Sequence, residues 1–378
     1  MMKLVYKFGL AFLLFALLGL TAQAADGERR EFTKVIKKEF DITANGTTAI
    51  VNKYGKVDVK TWDRNRVKID VTIVVNAANE AAAQKVFDRI NVNFLNKSNY
   101  VKAETVIEPI STSWWSSVTT GTTRTDYSIN YEVYLPATNN LEVYNRYGDS
   151  YVAPMDGAVT MDIRYGNFKM QGVNNSSKIS LAYGNGTLVT ARNVNSDVSY
   201  GKLIIGEMRD GEFLSKYSNL KIDKAENIRC SSKYDNYEVA LVREFRNDGK
   251  YDNFRLLQAD NVLVNAQYTQ VNVSKLQNLL DLNLKYGGAT IGIVSKDFSS
   301  INLLGSYTDF KLALEVGTSF NMEASGNYAG ISYPANMTVT SEQNKGTSHE
   351  VKGHFGRQDT RSAITARLNY GALKVKQE

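Results

Sequence analysis

The stretch VSYGKLIIGEMRDGEFLSKYSNLKIDKAENIRCSSKYDNYEV, Val198–Val239, decides the fold of this chain. It contains three tyrosines, Tyr200, Tyr217 and Tyr234, which follow one another at intervals of 17 residues. Each tyrosine is followed by a pair of small or polar residues and then by alternating apolar and polar residues. Self-similarity at a fixed interval is the sequence signature of a repeat protein.

The same tyrosine recurs through most of the chain. It is found at Tyr147, Tyr165, Tyr183, Tyr200, Tyr217, Tyr234, Tyr251, Tyr268, Tyr286, Tyr307 and Tyr328. The intervals between these positions are 18, 18, 17, 17, 17, 17, 17, 18, 21 and 21 residues. Two further members of the series are Tyr54 and Tyr370. Spacing this regular indicates one structural unit that is used many times.

Apolar residues alternate with polar ones on both sides of each tyrosine. Upstream, they share the parity of the tyrosine, as Leu282, Leu284 and Tyr286 do, which is typical of a strand with one buried face. Downstream, the next buried pair is expected three and five residues beyond the tyrosine. A turn pair such as Asp252-Asn253 lies between them and allows a corner. Variable polar segments, such as residues 207–211, then return the chain to the next coil.

These patterns predict an all-β fold, a parallel β-solenoid (β-helix) of two-strand coils of about 17–21 residues. One coil cannot bury its own apolar face, whereas stacked coils share backbone hydrogen bonds and a continuous interior. At roughly 4.8 Å per coil, Tyr147 to Tyr328 would span on the order of 48 Å, with the tyrosines as a ladder along one edge. An antiparallel sandwich or barrel is the alternative, but it gives no reason for a repeated tyrosine corner.

The first residues of the chain have the pattern of an export signal. An apolar run follows Lys3 and Lys7, and the small residues of Ala22-Gln23-Ala24 end it. We therefore expect a signal peptide at residues 1–24, whose removal leaves about 354 residues without a transmembrane segment. No cysteine is near the cleavage site, so the protein is not expected to be lipidated. The predicted location is the periplasm or the outer cell surface.

Two regions are expected after the signal peptide. Residues 25–140 are predicted to form an N-terminal β region, and residues 141–378 are predicted to form the solenoid repeats. Within the first region, residues 77–90 have the pattern of an amphipathic helix with Asn76 or Asn79 as its N-cap. A single helix in a β-rich chain suggests a cap over the open N-terminal end of the stack. A partner-binding helix is the alternative.

Residues 107–125 interrupt the strand pattern and are predicted to form a polar loop that carries Trp114 and Trp115. Two neighbouring tryptophans on a polar loop are a candidate platform for a sugar or a lipid interface. The alternative is that they fold back and cover part of the solenoid. Both interpretations stay open at this point.

Composition and motifs argue against several classes of function. The net charge of +6, or about +4 without Lys3 and Lys7, is spread thinly, and no nucleic-acid-binding motif is present. His349 and His354 are the only histidines and are five residues apart, unlike the pair of a zinc-protease helix. Cys230 is the only cysteine and is expected to be a buried structural thiol. We expect no metal, no cofactor and no catalytic centre.

Two runs of sequence and the tyrosine repeats together resemble a known family. The runs are NKYGKVDVKTWDRNRVKIDVTIVV at Asn52 to Val75 and DYSINYEVYLPATNNLEVYNRYGDSYV at Asp126 to Val152. They resemble the bacterial putative-adhesin family, exported proteins common in Bacteroidetes-type bacteria. The resemblance covers nearly all of the chain after the leader. It implies a β-helical fold and a cell-envelope location, and it brings no catalytic residues.

The leading hypothesis is therefore a non-catalytic, exported cell-envelope protein. It would act as an adhesin or scaffold whose rigid β-solenoid surface binds a glycan or another envelope protein. The first alternative is a periplasmic partner or sensor in envelope-stress signalling. The second is a β-helix enzyme that degrades polysaccharides, which would need carboxylates gathered on one face. The candidate carboxylates for such an enzyme are Asp223, Asp235, Asp252 and Asp260.

Overall fold

The structure is a computed structural model that describes residues 29–109 and 126–377. The expected leader, Trp114 and Trp115 lie outside the described residues. The described chain forms two compact units. The smaller comprises residues 29–34, 73–91, 107–109 and 126–127, and the larger comprises residues 35–72, 92–106 and 128–377.

Strands account for most of the described residues. The first are β1 (Arg30–Asp41), β2 (Thr47–Lys53), β3 (Val57–Trp62), β4 (Arg66–Ala77), β5 (Ile90–Lys97), β6 (Tyr100–Ile107) and β7 (Asp126–Pro136), with helix α1 (Glu80–Phe87) after β4. They are followed by β8 (Asn140–Arg146), β9 (Ser150–Val152), β10 (Val159–Arg164), β11 (Phe168–Ala182), β12 (Asn185–Ser199), β13 (Lys202–Lys216), β14 (Asn219–Lys233) and β15 (Asn236–Lys250). The last are β16 (Asn253–Gln267), β17 (Gln270–Val294), β18 (Ser300–Leu314), β19 (Phe320–Ser332), β20 (Thr338–Lys345), β21 (Ser348–Phe355) and β22 (Ala363–Gln377).

The strands from β10 to β18 stack one coil on the next. Each pairs in parallel with its successor, and the pairing is in register: Lys216 lies opposite Lys233, one repeat later in the chain. The stacking extends towards the N-terminus, because β2 and β3 pair in parallel with β8 and β9. It therefore continues across the boundary that was expected at residue 140. The prediction of an all-β parallel solenoid is confirmed.

The segment that returns the chain to the next coil is itself β-strand, which the sequence pattern did not predict. Glu207 and Met208 pair in parallel with Lys224 and Ala225 of the next coil. The position of Met208 is held in later coils by Ala225, Val242, Ala259 and Leu276, all buried. Successive buried residues around Met208 are three positions apart, at Ile205, Met208 and Gly211, whereas in a regular strand they are two positions apart. Because the alternation of buried and exposed residues is broken here, the sequence pattern did not indicate a strand. The same break bends the coil.

The C-terminal coils do not follow the order of the chain. β22 lies between β18 and β19 and pairs in parallel with both. β20 and β21 form an antiparallel hairpin that pairs with β19. Tyr370 therefore lies between Tyr307 and Tyr328, so these two tyrosines are not on adjacent levels, although the span calculated from successive tyrosines assumes that they are. Repeats with the same inward pattern fit any level of the stack, so the sequence could not give their order.

Helix α1 belongs to the smaller unit. Its N-cap is Asn79, whose Oδ1 accepts a hydrogen bond from the backbone N–H of Ala82 at 2.9 Å. The helix is shorter than expected because Ala77 ends β4 and Ile90 begins β5. Its role as a cap over the stack stays a prediction.

Glycine corners are required where neighbouring coils approach most closely. Gly148, Gly166 and Gly184 each follow a tyrosine, and a Cβ on any of them would collide with a backbone carbonyl of the preceding coil. For Gly184 the obstructing atom is the carbonyl oxygen of Gly166. Backbone atoms cannot move aside as a flexible side chain can, so these corners do not tolerate a side chain.

We predict that Gly184→Ala lowers the free energy of unfolding by about 2–3 kcal/mol, because the coils must separate to admit the methyl group. The matched control is Gly330→Ala, where the nearest atom to an added Cβ is 4.0 Å away. The measurement is urea unfolding followed by circular dichroism. Equal effects of the two substitutions would show that the close approach at Gly184 does not constrain the stack.

Candidate functional site

One continuous column of tyrosine side chains follows the corners of the larger unit. In spatial order its members are Tyr54, Tyr147, Tyr165, Tyr183, Tyr200, Tyr217, Tyr234, Tyr251, Tyr268, Tyr286, Tyr307, Tyr370 and Tyr328. Neighbouring ring centroids are 4.6–5.1 Å apart, and the rings are parallel to within 11°. From Tyr147 onwards, these residues are 37–56% exposed. We call this set the tyrosine column.

Every residue of the tyrosine column has a left-handed backbone conformation, with φ between 51° and 64°. For a residue other than glycine, this conformation costs roughly 1–2 kcal/mol. An interior ring stacks on two neighbours, and each aromatic pair contributes about 0.5–1.5 kcal/mol. Each stacking contact is shared by two rings, so the column has about one contact per tyrosine, and that contact offsets much of the backbone cost of one residue. A tyrosine corner without neighbours would carry the whole cost.

The stacking determines which part of each ring faces solvent. Because neighbouring rings are parallel and their centroids are only 4.6–5.1 Å apart, no further ring can insert between them, so a ligand meets mainly the ring edges and the phenolic hydroxyls. Within the described chain, the hydroxyls of Tyr200, Tyr217 and Tyr234 have no hydrogen-bond partner. The ring edge carries the positive part of the aromatic quadrupole. The tyrosine column thus offers a row of hydroxyl donors and acceptors rather than flat stacking platforms.

A row of basic side chains flanks the tyrosine column. The residue before the tyrosine is Lys53, Arg146, Arg164, Lys216, Lys233, Lys250 or Lys285 in seven coils. Strand register places Lys53, Arg146 and Arg164 on consecutive levels. Lys216, Lys233 and Lys250 form a second consecutive run. These residues were not predicted from the sequence, although aligning the repeats on their tyrosines would have revealed them.

Hydrogen-bonded amide side chains flank the other side of the tyrosine column. Asp149, Asn167 and Asn185 each stand two positions after a tyrosine of the column. Asn167 Nδ2 donates to Asp149 Oδ1 at 3.0 Å, and Asn185 Nδ2 donates to Asn167 Oδ1 at 2.9 Å. A second such ladder joins Asn219 to Asn236 at 3.0 Å. Because these amides bond to each other between coils, they hold the corners in register. Polar side-chain groups without a hydrogen bond or ion pair in the described chain then include three hydroxyls of the tyrosine column and the run Lys216, Lys233 and Lys250, whereas Arg164 pairs with Asp162 at 3.2 Å.

Two buried carboxylates lie directly behind the tyrosine column. Asp235 Oδ1 accepts a hydrogen bond from the backbone N–H of Ser218 at 2.7 Å, and Asp252 Oδ1 accepts one from the N–H of Asp235 at 2.9 Å. Burial raises the pKa of both groups, that of Asp252 to about 6. Each carboxylate therefore caps the corner of the preceding coil and is shielded from solvent.

Cys230 is buried as expected. Its Sγ accepts a hydrogen bond from Asn247 Nδ2 at 3.3 Å, and burial raises the pKa of the thiol to about 12, so it remains protonated. His349 contacts Glu342 at 2.9 Å. Among residues 29–109 and 126–377, no group of three or more histidine, cysteine, aspartate or glutamate side chains could hold a metal ion. In the same residues, no helix is long and apolar enough to cross a membrane.

Comparisons with known proteins gave structural likenesses alone. No family model matches the chain, and no curated protein is significantly similar to it. A putative cell adhesion protein from Clostridium sporogenes is 8% identical, with 93% of this chain and all of that chain covered at a TM-score of 0.19. A putative adhesin from Parabacteroides distasonis is 10% identical, with 76% and 98% covered at a TM-score of 0.35.

A third similar structure is a putative adhesin from Bacteroides fragilis, 7% identical, with 90% of this chain and 97% of that chain covered at a TM-score of 0.21. All three carry the kind of description that the sequence resemblance implies. Superpositions with TM-scores below 0.5 are too partial to transfer a function or a binding site to this chain.

We predict that Tyr217→Ala destabilises the protein more than Tyr217→Gly, by about 1 kcal/mol. Both substitutions remove two stacking contacts, but glycine adopts the left-handed corner without strain. The free energy of unfolding, measured with urea, distinguishes them. If alanine were the less destabilising residue, the backbone cost assigned to the tyrosine corner would be wrong.

We predict that Asp252 makes the protein less stable as the pH rises. Its ordinary pKa in the unfolded chain is about 3.9 and its folded pKa is about 6, so ionisation disfavours the folded state. The stability that the protonated form contributes is lost between about pH 4 and pH 6. Above about pH 6, Asp252 causes little further change in stability. The urea concentration at the midpoint of unfolding should therefore fall less between pH 5 and pH 7.5 in the Asp252→Asn variant than in the native protein.

The matched control for this prediction is Asp223→Asn, which removes an exposed carboxylate near Lys221. Its midpoint should fall between pH 5 and pH 7.5 as much as that of the native protein. A native-like fall in the Asp252→Asn variant would contradict the raised pKa of Asp252.

Proposed function

We propose that this protein is a non-catalytic, exported binding protein of the cell envelope that holds a polysaccharide along its tyrosine column. The observation that carries the proposal is the row of exposed, hydroxyl-bearing tyrosine rings, whose centroids are separated by a near-constant 4.8–5.0 Å. A polysaccharide is a polymer of hydroxyl-rich rings, so its repeated polar groups match a surface that also repeats. The leader-like residues 1–24 support export.

A rigid surface reduces the entropy lost on binding. Each corner of the tyrosine column is fixed by stacked rings and by hydrogen bonds between coils, such as that from Ser218 N–H to Asp235. The binding groups are therefore held in place before the ligand arrives, which favours affinity. Trp114 and Trp115 remain candidate additional contacts.

The arrangement of carboxylates favours binding over catalysis. A glycoside hydrolase needs two accessible carboxyl groups on either side of the bond that it cleaves. Asp235 and Asp252 are 1% and 4% exposed, and their oxygens accept hydrogen bonds from the coil corners. Asp223 lies at the surface beside Lys221. These environments support a structural role for the buried pair, and we propose no reaction.

We predict that replacing three neighbouring hydroxyls, by Tyr217→Phe, Tyr234→Phe and Tyr251→Phe together, weakens polysaccharide binding by about tenfold or more. Each lost hydrogen bond is worth about 0.5–1.5 kcal/mol, whereas phenylalanine keeps the ring stacking. The measurement is the dissociation constant of the purified protein for immobilised neutral and acidic polysaccharides.

The control variant carries Tyr100→Phe, Tyr151→Phe and Tyr333→Phe, three tyrosines outside the tyrosine column. It should bind like the native protein. Equal affinities of the two triple variants and the native protein would remove the tyrosine column from the binding site, and failure of the native protein to bind any polysaccharide would refute the proposed function.

A further inference from the structure

We infer that the polysaccharide is acidic, and that its carboxylate or sulfate groups are held by a lysine row made of Lys216, Lys233 and Lys250. This inference rests on the proposed function and specifies its ligand. The three lysines each precede a residue of the tyrosine column, and they lie on consecutive levels of the stack. All three side chains are exposed to solvent.

The lysines of the lysine row have no ion-pair partner among the residues that the structure describes. Within the described chain, none of its three members forms an ion pair, and Lys233 instead lies over the ring of Tyr234 at 5.4 Å. Other lysines of the same coils do have acidic partners. Lys224 contacts Glu207 at 2.6 Å, for example. The positive charge along this part of the tyrosine column is therefore available to a ligand.

The lysine row opposes stability in the unbound protein. Adjacent parallel strands lie about 4.8 Å apart, and like charges directly opposite each other on neighbouring strands are destabilising. The fold does not require a cation at this position, because other coils have Ala182, Ser199 or Gln267 there. A row of cations that the fold does not need, and that weakens it, is explained by an anionic ligand that neutralises them together.

The surface beside the lysine row has the form of a groove. This groove has a volume of about 490 Å³, and Lys216, Lys233 and Lys250 line it together with Ser231 and other residues of the four successive strands from β13 to β16. Asp248 is the acidic side chain in the groove, and its Oδ1 accepts a hydrogen bond from Asn265 Nδ2 at 3.0 Å. Three cations and one hydrogen-bonded carboxylate leave a net positive groove that runs from coil to coil.

The exposed parts of the rings favour an acidic polysaccharide over a nucleic acid. Single-stranded nucleic acids bind by stacking their bases on the faces of aromatic side chains. In the tyrosine column those faces are covered by neighbouring rings, as between Tyr217 and Tyr234 at 4.8 Å. The positive ring edges and the hydroxyls that remain exposed match carboxylate and hydroxyl oxygens instead. Repeated sugar rings with repeated charges fit a surface that repeats at each coil.

The test compares polygalacturonate with dextran, an acidic and a neutral polysaccharide, as ligands of the full chain. The variant is Lys216→Gln, Lys233→Gln and Lys250→Gln together, which introduces the residue type already present at Gln267. We expect polygalacturonate affinity to fall by about tenfold or more, because the variant removes three ion pairs with the ligand at once. Polygalacturonate binding by the native protein should also weaken as the salt concentration rises.

The charge-matched control is Lys275→Gln, Lys311→Gln and Lys374→Gln, three exposed lysines outside the lysine row. It should bind polygalacturonate almost as well as the native protein. Equal losses in the two variants would overturn the lysine row as the site, because net charge alone would then explain binding.

Two results separate this inference from the proposed function. If dextran binds the native protein as tightly as polygalacturonate does, the ligand is not acidic, but the polysaccharide-binding function stands. If neither binds, both proposals fail. Single-stranded DNA that binds more tightly than polygalacturonate of equal length, with the same dependence on the three lysines, would assign the lysine row to nucleic acid and overturn the inference.

Discussion

In-register parallel hydrogen bonding between coils is the interaction on which the rest of this structure depends. β13 and β14 pair from Lys202 with Asn219 to Lys216 with Lys233, through the bends as well as the flat parts of the coil. A coil of 17 residues has too little apolar surface to be stable alone. Pairing with its neighbours completes its backbone hydrogen bonds and continues the buried interior, so every coil depends on the next.

This register has a consequence for each repeat position, because every side chain lies on its own equivalent in the adjacent coils. Rings stack on rings and amides bond to amides. At most corners the residue after the tyrosine is either a glycine without a side chain or a polar residue that caps the neighbouring corner. Gly184 and Asp235 represent these two solutions. Stacking of identical side chains is favourable for tyrosine and asparagine, and unfavourable for lysine. Tyrosine and asparagine positions therefore stabilise the fold, whereas the lysine positions do not.

The same register gives the protein a surface with a constant repeat. Ring centroids of the tyrosine column recur every 4.6–4.8 Å over the coils from Lys216 to Lys250, and the lysine row lies beside these rings. The buried carboxylates of Asp235 and Asp252 accept hydrogen bonds from the backbone of the corners that carry this surface. Their ionisation destabilises the fold, because burial raises the pKa of both groups. A polymeric ligand would meet equivalent groups at successive coils, and many weak contacts would then act together.

The sequence by itself determined the repeat, the buried parity of the strands, the parallel solenoid and the membership of the tyrosine column, because all of these follow from local periodicity. It also indicated helix α1 and its cap at Asn79. Tertiary structure decided what periodicity does not encode: the place of β22 between β18 and β19, the strand at Met208, and the burial of Asp235. It also decided that ring edges, not faces, meet solvent. These features depend on which coils become neighbours, and residues 17 positions apart in the chain become adjacent only when the coils stack.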